Sequence, residues 1–196
     1  LSFVWFNAKA EFARSQKPTV SSYWDWLPRT DVKSYHQYFC GTAPTHHLYG
    51  LRTALDMLVK EQGIAEVWKR HRNLSKAIWA AFDCWSEQGN IKMNVRDINL
   101  RSHAVTAASI SNGGAKKLQD WCEKNADLTL GIGLGMADQE DSTIHNFFRI
   151  GHMGHINATM ILGVISTIDV AFKALKIPHG QFALEAATNT LAKTYK

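Results

Sequence analysis

Three residue types in the stretch FFRIGHMGHIN, Phe147 to Asn157, could do chemistry. His152 and His155 could ligate a metal, the glycines could present backbone N–H groups to a phosphate, and Arg149 could hold a carboxylate. A zinc site usually draws three or four ligands, often a helical i, i+4 histidine pair or a close cysteine pair. Neither pattern occurs among the nine histidines and three cysteines. In a strand or turn, His152 and His155 need not face the same way, so they read as loop structure or pocket polarity. Arg149 differs in kind. It interrupts a run of apolar residues, and a charge on a buried strand is costly unless it meets an anion. Its planar fork suits a carboxylate held by two hydrogen bonds. The spacing leaves two partners open, a ligand carboxylate or an internal Asp or Glu.

Other candidates carry less. LGIGLGMADQED, Leu130 to Asp141, spaces its glycines as G-x-G-x-G, which is not the dinucleotide fingerprint, and no helix signal follows it directly. No G-x-S-x-G is present, and Cys40 has only His36 near it in sequence. KRHR, Lys69 to Arg72, is the densest basic cluster and falls in a helix-like stretch, so it reads as a solvated helix face rather than a nucleic-acid patch.

The elements that must position these residues follow from hydrophobic periodicity. Leu48, Leu51, Leu55, Leu58 and Val59 recur at helical spacing up to Gly63, and Val67, Trp68, His71, Leu74, Ile78, Phe82 and Trp85 continue the period to Gly89. Two long amphipathic helices are predicted. Ala104–Ile110, Leu128–Leu134 and Asn146–Gly151 read as strands and Gly114–Asn125 as a helix. Asn157 caps a helix whose face is Ile161, Leu162, Ile165, Ile168, Phe172 and Leu175. Pro178 and Gly180 end it, and Gln181–Thr194 reads as a last helix. Residues 1–43 mix aromatics with turn formers; a strand over Leu1–Phe6, then loops and a short helical turn, is expected there. The class is α/β, or α+β in this part, with a small sheet covered by helices.

The 196 residues, 45% hydrophobic and 20% charged, can bury a core. The net charge of +5 is scattered along the chain. Three widely spaced cysteines do not make a disulfide framework and fit a reducing, cytoplasmic setting. The start lacks the basic region of a signal peptide, and the apolar run Met160–Phe172 is too short to span a bilayer. Beginning at Leu1 without methionine, the sequence reads as a fragment.

Two segments together carry a family resemblance: CGTAPTHHLYGLRTALDMLVKEQGIAEVWKRHRNLSKAI and GIGLGMADQEDSTIHNFFRIGHMGHIN. They resemble the second half of the class V pyridoxal-phosphate aminotransferases, the alanine–, serine– and aspartate–glyoxylate group. The T-x-P followed by an aliphatic-Y-x-L-R-x-A-L helix, and the R-I-G-H strand end, are specific in combination and weak alone. The resemblance implies the fold type I transferase architecture and a homodimer with its active site at the subunit interface. Residues 1–43 would then be the end of the large cofactor-binding domain, 44–63 a connecting helix, and 64–196 the small C-terminal domain. It also implies pyridoxal 5'-phosphate as cofactor. Arg149 would hold the substrate carboxylate, and Thr42, with Gly41, would reach the phosphate bound in the neighbouring subunit. Some members have a tyrosine three residues before that threonine; Phe39 stands there and lacks the hydroxyl, with Tyr38 adjacent. The turn Gly133–Gly135 would lie near the substrate side chain.

The family's lysine, which carries the cofactor as a Schiff base and then acts as general base, belongs upstream of Leu1. SQKP, Ser15 to Pro18, imitates its motif but comes after the expected strand Leu1–Phe6 instead of before it, with Pro18 following directly where the family has a short spacer, so this chain alone should not transaminate. The implied activity moves an amino group from a small amino acid to glyoxylate or a similar 2-oxo acid. A pyridoxamine–pyruvate aminotransferase, a cysteine desulfurase using Cys40, and a non-catalytic binding or dimerisation fragment are the rival readings.

Overall fold

The computed structural model describes residues 2–30, 32–39, 41–138 and 140–195. The chain divides into two compact units, Leu1–Gly63 and Ile64–Lys196.

In the first unit, residues 2–6 form no regular element, so the expected opening strand is absent among the described residues. Apolar character alone makes no strand, because backbone groups need a ladder partner, and Trp5 and its neighbours Phe3 and Val4 are exposed. Helix α1 (Ala8–Ser15) follows, capped by Asn7, whose side chain accepts from the Ala10 N–H at 3.0 Å. Arg14 clamps Asp25 through two nitrogens and ties α1 to the loop after it. Single 3-10 turns occupy Leu27–Arg29 and Tyr35–Tyr38. Helix α2 (Thr45–Leu55) then begins after Pro44 and runs on as a π-helical segment, Asp56–Gln62. Gly63, with φ of 81°, stops it.

The second unit opens with helix α3 (Ile64–Trp85). Its buried stripe of Val67, Leu74, Ile78, Phe82 and Trp85 matches the predicted face, while Trp68 lies on the solvent side. After it come strands β1 (Ile91–Met93) and β2 (Val105–Ile110), helix α4 (Gly114–Ala126), strands β3 (Gly131–Ile132) and β4 (Phe147–Gly151), and helices α5 (Ala158–Ala174) and α6 (Ala183–Ala192). Among the described residues the sheet is antiparallel with order β1-β2-β4-β3. Helices α3 and α4 pack on it, and α5 and α6 pack against those helices. The core is aromatic at its centre: Phe82, Trp85, Phe148 and Phe172 are fully buried and meet at ring centroid distances of 5.2 to 6.0 Å.

Two features of this unit were not legible beforehand. β1 is only three residues long, too short for a periodic signal. The run Leu128–Leu134 yields only the two-residue β3, because Asp127 turns left-handed at the end of α4 (φ of 49°) and residues 128–130 join no ladder among the described residues.

Candidate functional site

The two-residue period of a strand decides what each residue of FFRIGH can do. On β4, Phe148 and Ile150 point to the helices and are buried; Phe147, Arg149 and Gly151 point to the open face of the sheet. His152 continues the inward series and is fully buried. Arg149 and His152 therefore serve opposite sides.

Arg149 is partly exposed, which corrects the premise that it is a charge on a buried strand. Its neighbours across the ladders are the small residues Ala107 on β2 and Gly131 on β3. Its Nε–H donates to the Ile132 carbonyl at 2.7 Å. Among the described residues no carboxylate lies within ion-pair distance of its guanidinium. Of the two partners left open, the internal Asp or Glu is thus not found among the described residues, and there the two terminal nitrogens make no hydrogen bond.

Gly133 does not lie against Arg149. A Cβ there would come 2.5 Å from the Cβ of Phe147 and 3.3 Å from the Ile144 carbonyl, so this glycine lets the turn close onto β4. Gly131, two residues earlier, is the glycine beneath the arginine: its added Cβ would meet Arg149 Cβ at 3.1 Å. The G-x-G-x-G spacing carried that signal, but nothing in it distinguished which glycine faces which side chain.

His152 is held by a chain of hydrogen bonds whose direction can be worked out. Its Nδ1 lies 3.1 Å from the His103 carbonyl, which can only accept, so Nδ1 carries the proton. Nε2, 2.9 Å from Thr106 Oγ1, then accepts the threonine O–H, and Thr106 Oγ1 accepts Trp79 Nε1–H at 3.1 Å. Every polar atom of the chain is satisfied by a neutral ring. Burial pushes the His152 pKa below the ordinary imidazole value. The unfolded chain therefore takes up a proton first as pH falls. The stability this site contributes is complete above about pH 6.5 and declines below it. His152→Gln should cost about 1–3 kcal/mol by loosening the chain, and it should flatten the stability profile between about pH 7.5 and 5. Urea unfolding at both pH values checks this, and an unaltered pH slope would remove His152 from the account. His155 is exposed; the pair does not converge.

The other candidate residues lie in the first unit. Phe39, Gly41 and Thr42 line an open groove together with Arg29, His36, Gln37 and Thr45. Cys40 falls outside the described residues. Phe39 packs edge-on against Tyr35, with centroids 5.5 Å apart. Tyr38 is not among the lining residues. The groove suits an anion. Thr42 offers a hydroxyl, and the eleven-residue α2 begins at Thr45 with its N-terminal N–H groups, although the Thr45 O–H and N–H themselves both donate to the Ala43 carbonyl at 3.2 and 2.8 Å. Arg29 donates through its terminal nitrogens to the Asp25 and Ser22 carbonyls, while its Nε is buried with no hydrogen-bond partner among the described residues. Neither Arg29 nor His36 was singled out from sequence, since they precede the T-x-P motif by an irregular loop with no fixed spacing.

No family model matches the chain. Curated relatives do. The serine–glyoxylate aminotransferase of Arabidopsis thaliana is 28% identical over 193 residues, covering 97% of this chain and 45% of that protein. The serine–glyoxylate aminotransferase of Methylorubrum extorquens is 31% identical over 180 residues, covering 87% and 41%. The chain is homologous to the C-terminal part of the class V glyoxylate aminotransferases. It spans less than half the length of these relatives. The fold of the aminotransferase homologue agrees: the ureidoglycine–glyoxylate aminotransferase of Bacillus subtilis superposes with a TM-score of 0.70 over 93% of this chain and 45% of that one, at 18% identity. Its small antiparallel sheet and flanking helices are the C-terminal part of the fold type I architecture.

Proposed function

We propose that this chain is the C-terminal part of a pyridoxal-phosphate-dependent aminotransferase. The enzyme moves an amino group from a small amino acid (alanine, serine or aspartate) to glyoxylate or a similar short 2-oxo acid. It works as a cytoplasmic homodimer. Residues 1–43 close the large domain, 44–63 connect, and 64–196 form the small domain. The observation that carries the reading is Arg149, a strand arginine on the open face of the sheet with no carboxylate partner among the described residues.

The residues present fit the cofactor's phosphate: the groove is lined by the Thr42 hydroxyl, the Arg29 side chain and the N-terminus of α2. In this reading the Thr42 O–H and the Gly41 backbone serve the phosphate bound in the partner subunit. Phe39 contributes an apolar wall where a tyrosine would add a further donor. When bound, pyridoxal phosphate supplies the electron sink that lets the donor's α-proton leave. Arg149 donates from its two terminal nitrogens to the donor's carboxylate and so fixes the orientation of the α-carbon. The lysine that moves the proton belongs, in this reading, to the sequence ahead of Leu1.

The test is made on the full-length protein. Purified with pyridoxal phosphate, it should show the visible absorption of the bound cofactor, lose that band on adding alanine or serine, and convert glyoxylate to glycine. A full-length protein that binds no pyridoxal phosphate would end the proposal.

A further inference from the structure

We propose that Gly131 and the backbone carbonyl of Ile132 are the positioning elements of Arg149, setting its guanidinium before any substrate arrives. The inference rests on the reading of Arg149 as the carboxylate clamp. Three observations carry it. The stem of Arg149 lies over Gly131: an added Cβ there would stand 3.1 Å from Arg149 Cβ, 3.3 Å from its carbonyl oxygen and 3.5 Å from its Nε. A side chain at residue 131 would thus occupy the space the arginine uses. The Nε–H is fixed on the Ile132 carbonyl at 2.7 Å. That carbonyl is itself held in place, because it also accepts the Leu134 N–H at 2.9 Å and Gly133 packs the turn onto Phe147.

The consequence is chemical. An arginine can meet a carboxylate through Nε and one terminal nitrogen, or through both terminal nitrogens. With Nε–H spent on Ile132, the second approach is the one left. A rigid acceptor at Nε together with a floor under the stem restricts the side chain to one orientation, so less freedom is lost when the substrate binds. The side chain of Ile132 is exposed, so its contribution comes through the main chain.

The experiment uses the full-length holoenzyme and the variants Gly131→Ala, Gly131→Val and Arg149→Lys, the last also combined with Gly131→Val. Gly131→Ala needs only a small shift of the arginine stem and serves if the valine variant fails to fold. Two readouts are followed: solvent exchange of the Arg149 Nε–H proton by NMR, and the KM for the amino donor. In the parent protein that Nε–H should exchange slowly. Gly131→Val should release it to fast exchange and raise the donor KM roughly tenfold to a hundredfold, as misplacement of a positioned group does. Cofactor absorption should stay unchanged. In the Arg149→Lys background the same substitution should add little, since the group it positions is gone.

A slow Nε–H and a parental KM in Gly131→Val would overturn the proposal. So would an equal rise in KM on the lysine background, which would mean a general structural effect. If Arg149→Lys itself leaves the donor KM unchanged, the clamp reading fails. Positioning of the side chain is then decided by the Nε–H exchange alone.

Discussion

In the full-length protein, Arg149→Lys is expected to raise the amino-donor KM roughly tenfold to a hundredfold, and Arg149→Ala on the order of a thousandfold, with little loss of fold stability. A hydrogen bond to a charged group contributes about 1.5–3 kcal/mol, and about 1.4 kcal/mol is a factor of ten. Lysine keeps the charge but replaces a planar fork with a single point, losing one bond of the pair. Alanine leaves the carboxylate with neither. Stability should move within about ±0.5 kcal/mol, as for surface positions, because Arg149 is partly exposed and has no carboxylate partner among the described residues. An arginine serving an internal ion pair would behave in the opposite way, with stability falling and KM indifferent. Half-reaction rates at low donor concentration, read beside urea unfolding of the same samples, separate the two. A parental half-reaction rate would sink the assignment.

Arg149 is conspicuous in the sequence for a reason the fold does not share. From sequence, a charge between Phe148 and Ile150 looked like a buried cost requiring an anion. In the fold, the two-residue period sends those neighbours inward and the arginine outward, so its side chain keeps part of its exposure. What the fold adds is its place on the open face, with Nε–H on the Ile132 carbonyl and no carboxylate partner among the described residues, a property of tertiary arrangement that spacing cannot carry. The same alternation separates His152 from Arg149, although they stand three residues apart. Long helices announced themselves: α3 and α5 repeat a buried face over several turns. Short pieces did not, and the π-helical continuation of α2 has no periodic signature distinct from an ordinary helix. Of the residues lining the groove in the first unit, the resemblance points to Thr42, Gly41 and Phe39. Arg29 and His36 reach it through the fold of an irregular loop, and such loops leave no repeat to read.

Trp85 is the position where the largest loss of stability is expected, since it joins the aromatic core to the one acidic residue of α5. The ring is fully buried, meets Phe82 and Phe172 edge-on at 5.2 and 5.3 Å, and donates Nε1–H to Asp169 Oδ1 at 3.1 Å. Trp85→Ala should cost about 3–5 kcal/mol, a large share of the roughly 5–15 kcal/mol that separates a folded domain from its unfolded chain. Trp85→Phe isolates the polar part, keeping most of the ring while removing the donor. Burial pushes the Asp169 pKa up, but hydrogen bonds from Lys173 and Trp85 outweigh it and hold the value below the ordinary carboxylate range. A carboxylate so depressed stabilises the fold above its unfolded pKa of about 3.9, and that contribution is lost as pH falls through the folded value. Removing the tryptophan donor narrows the difference between the two pKa values. The cost of Trp85→Phe should accordingly be greater at about pH 7 than at about pH 3, by an amount on the order of one charged hydrogen bond. Urea unfolding at the two pH values measures it. An equal cost at both would mean that the indole acts through packing alone, with the Asp169 carboxylate held by Lys173.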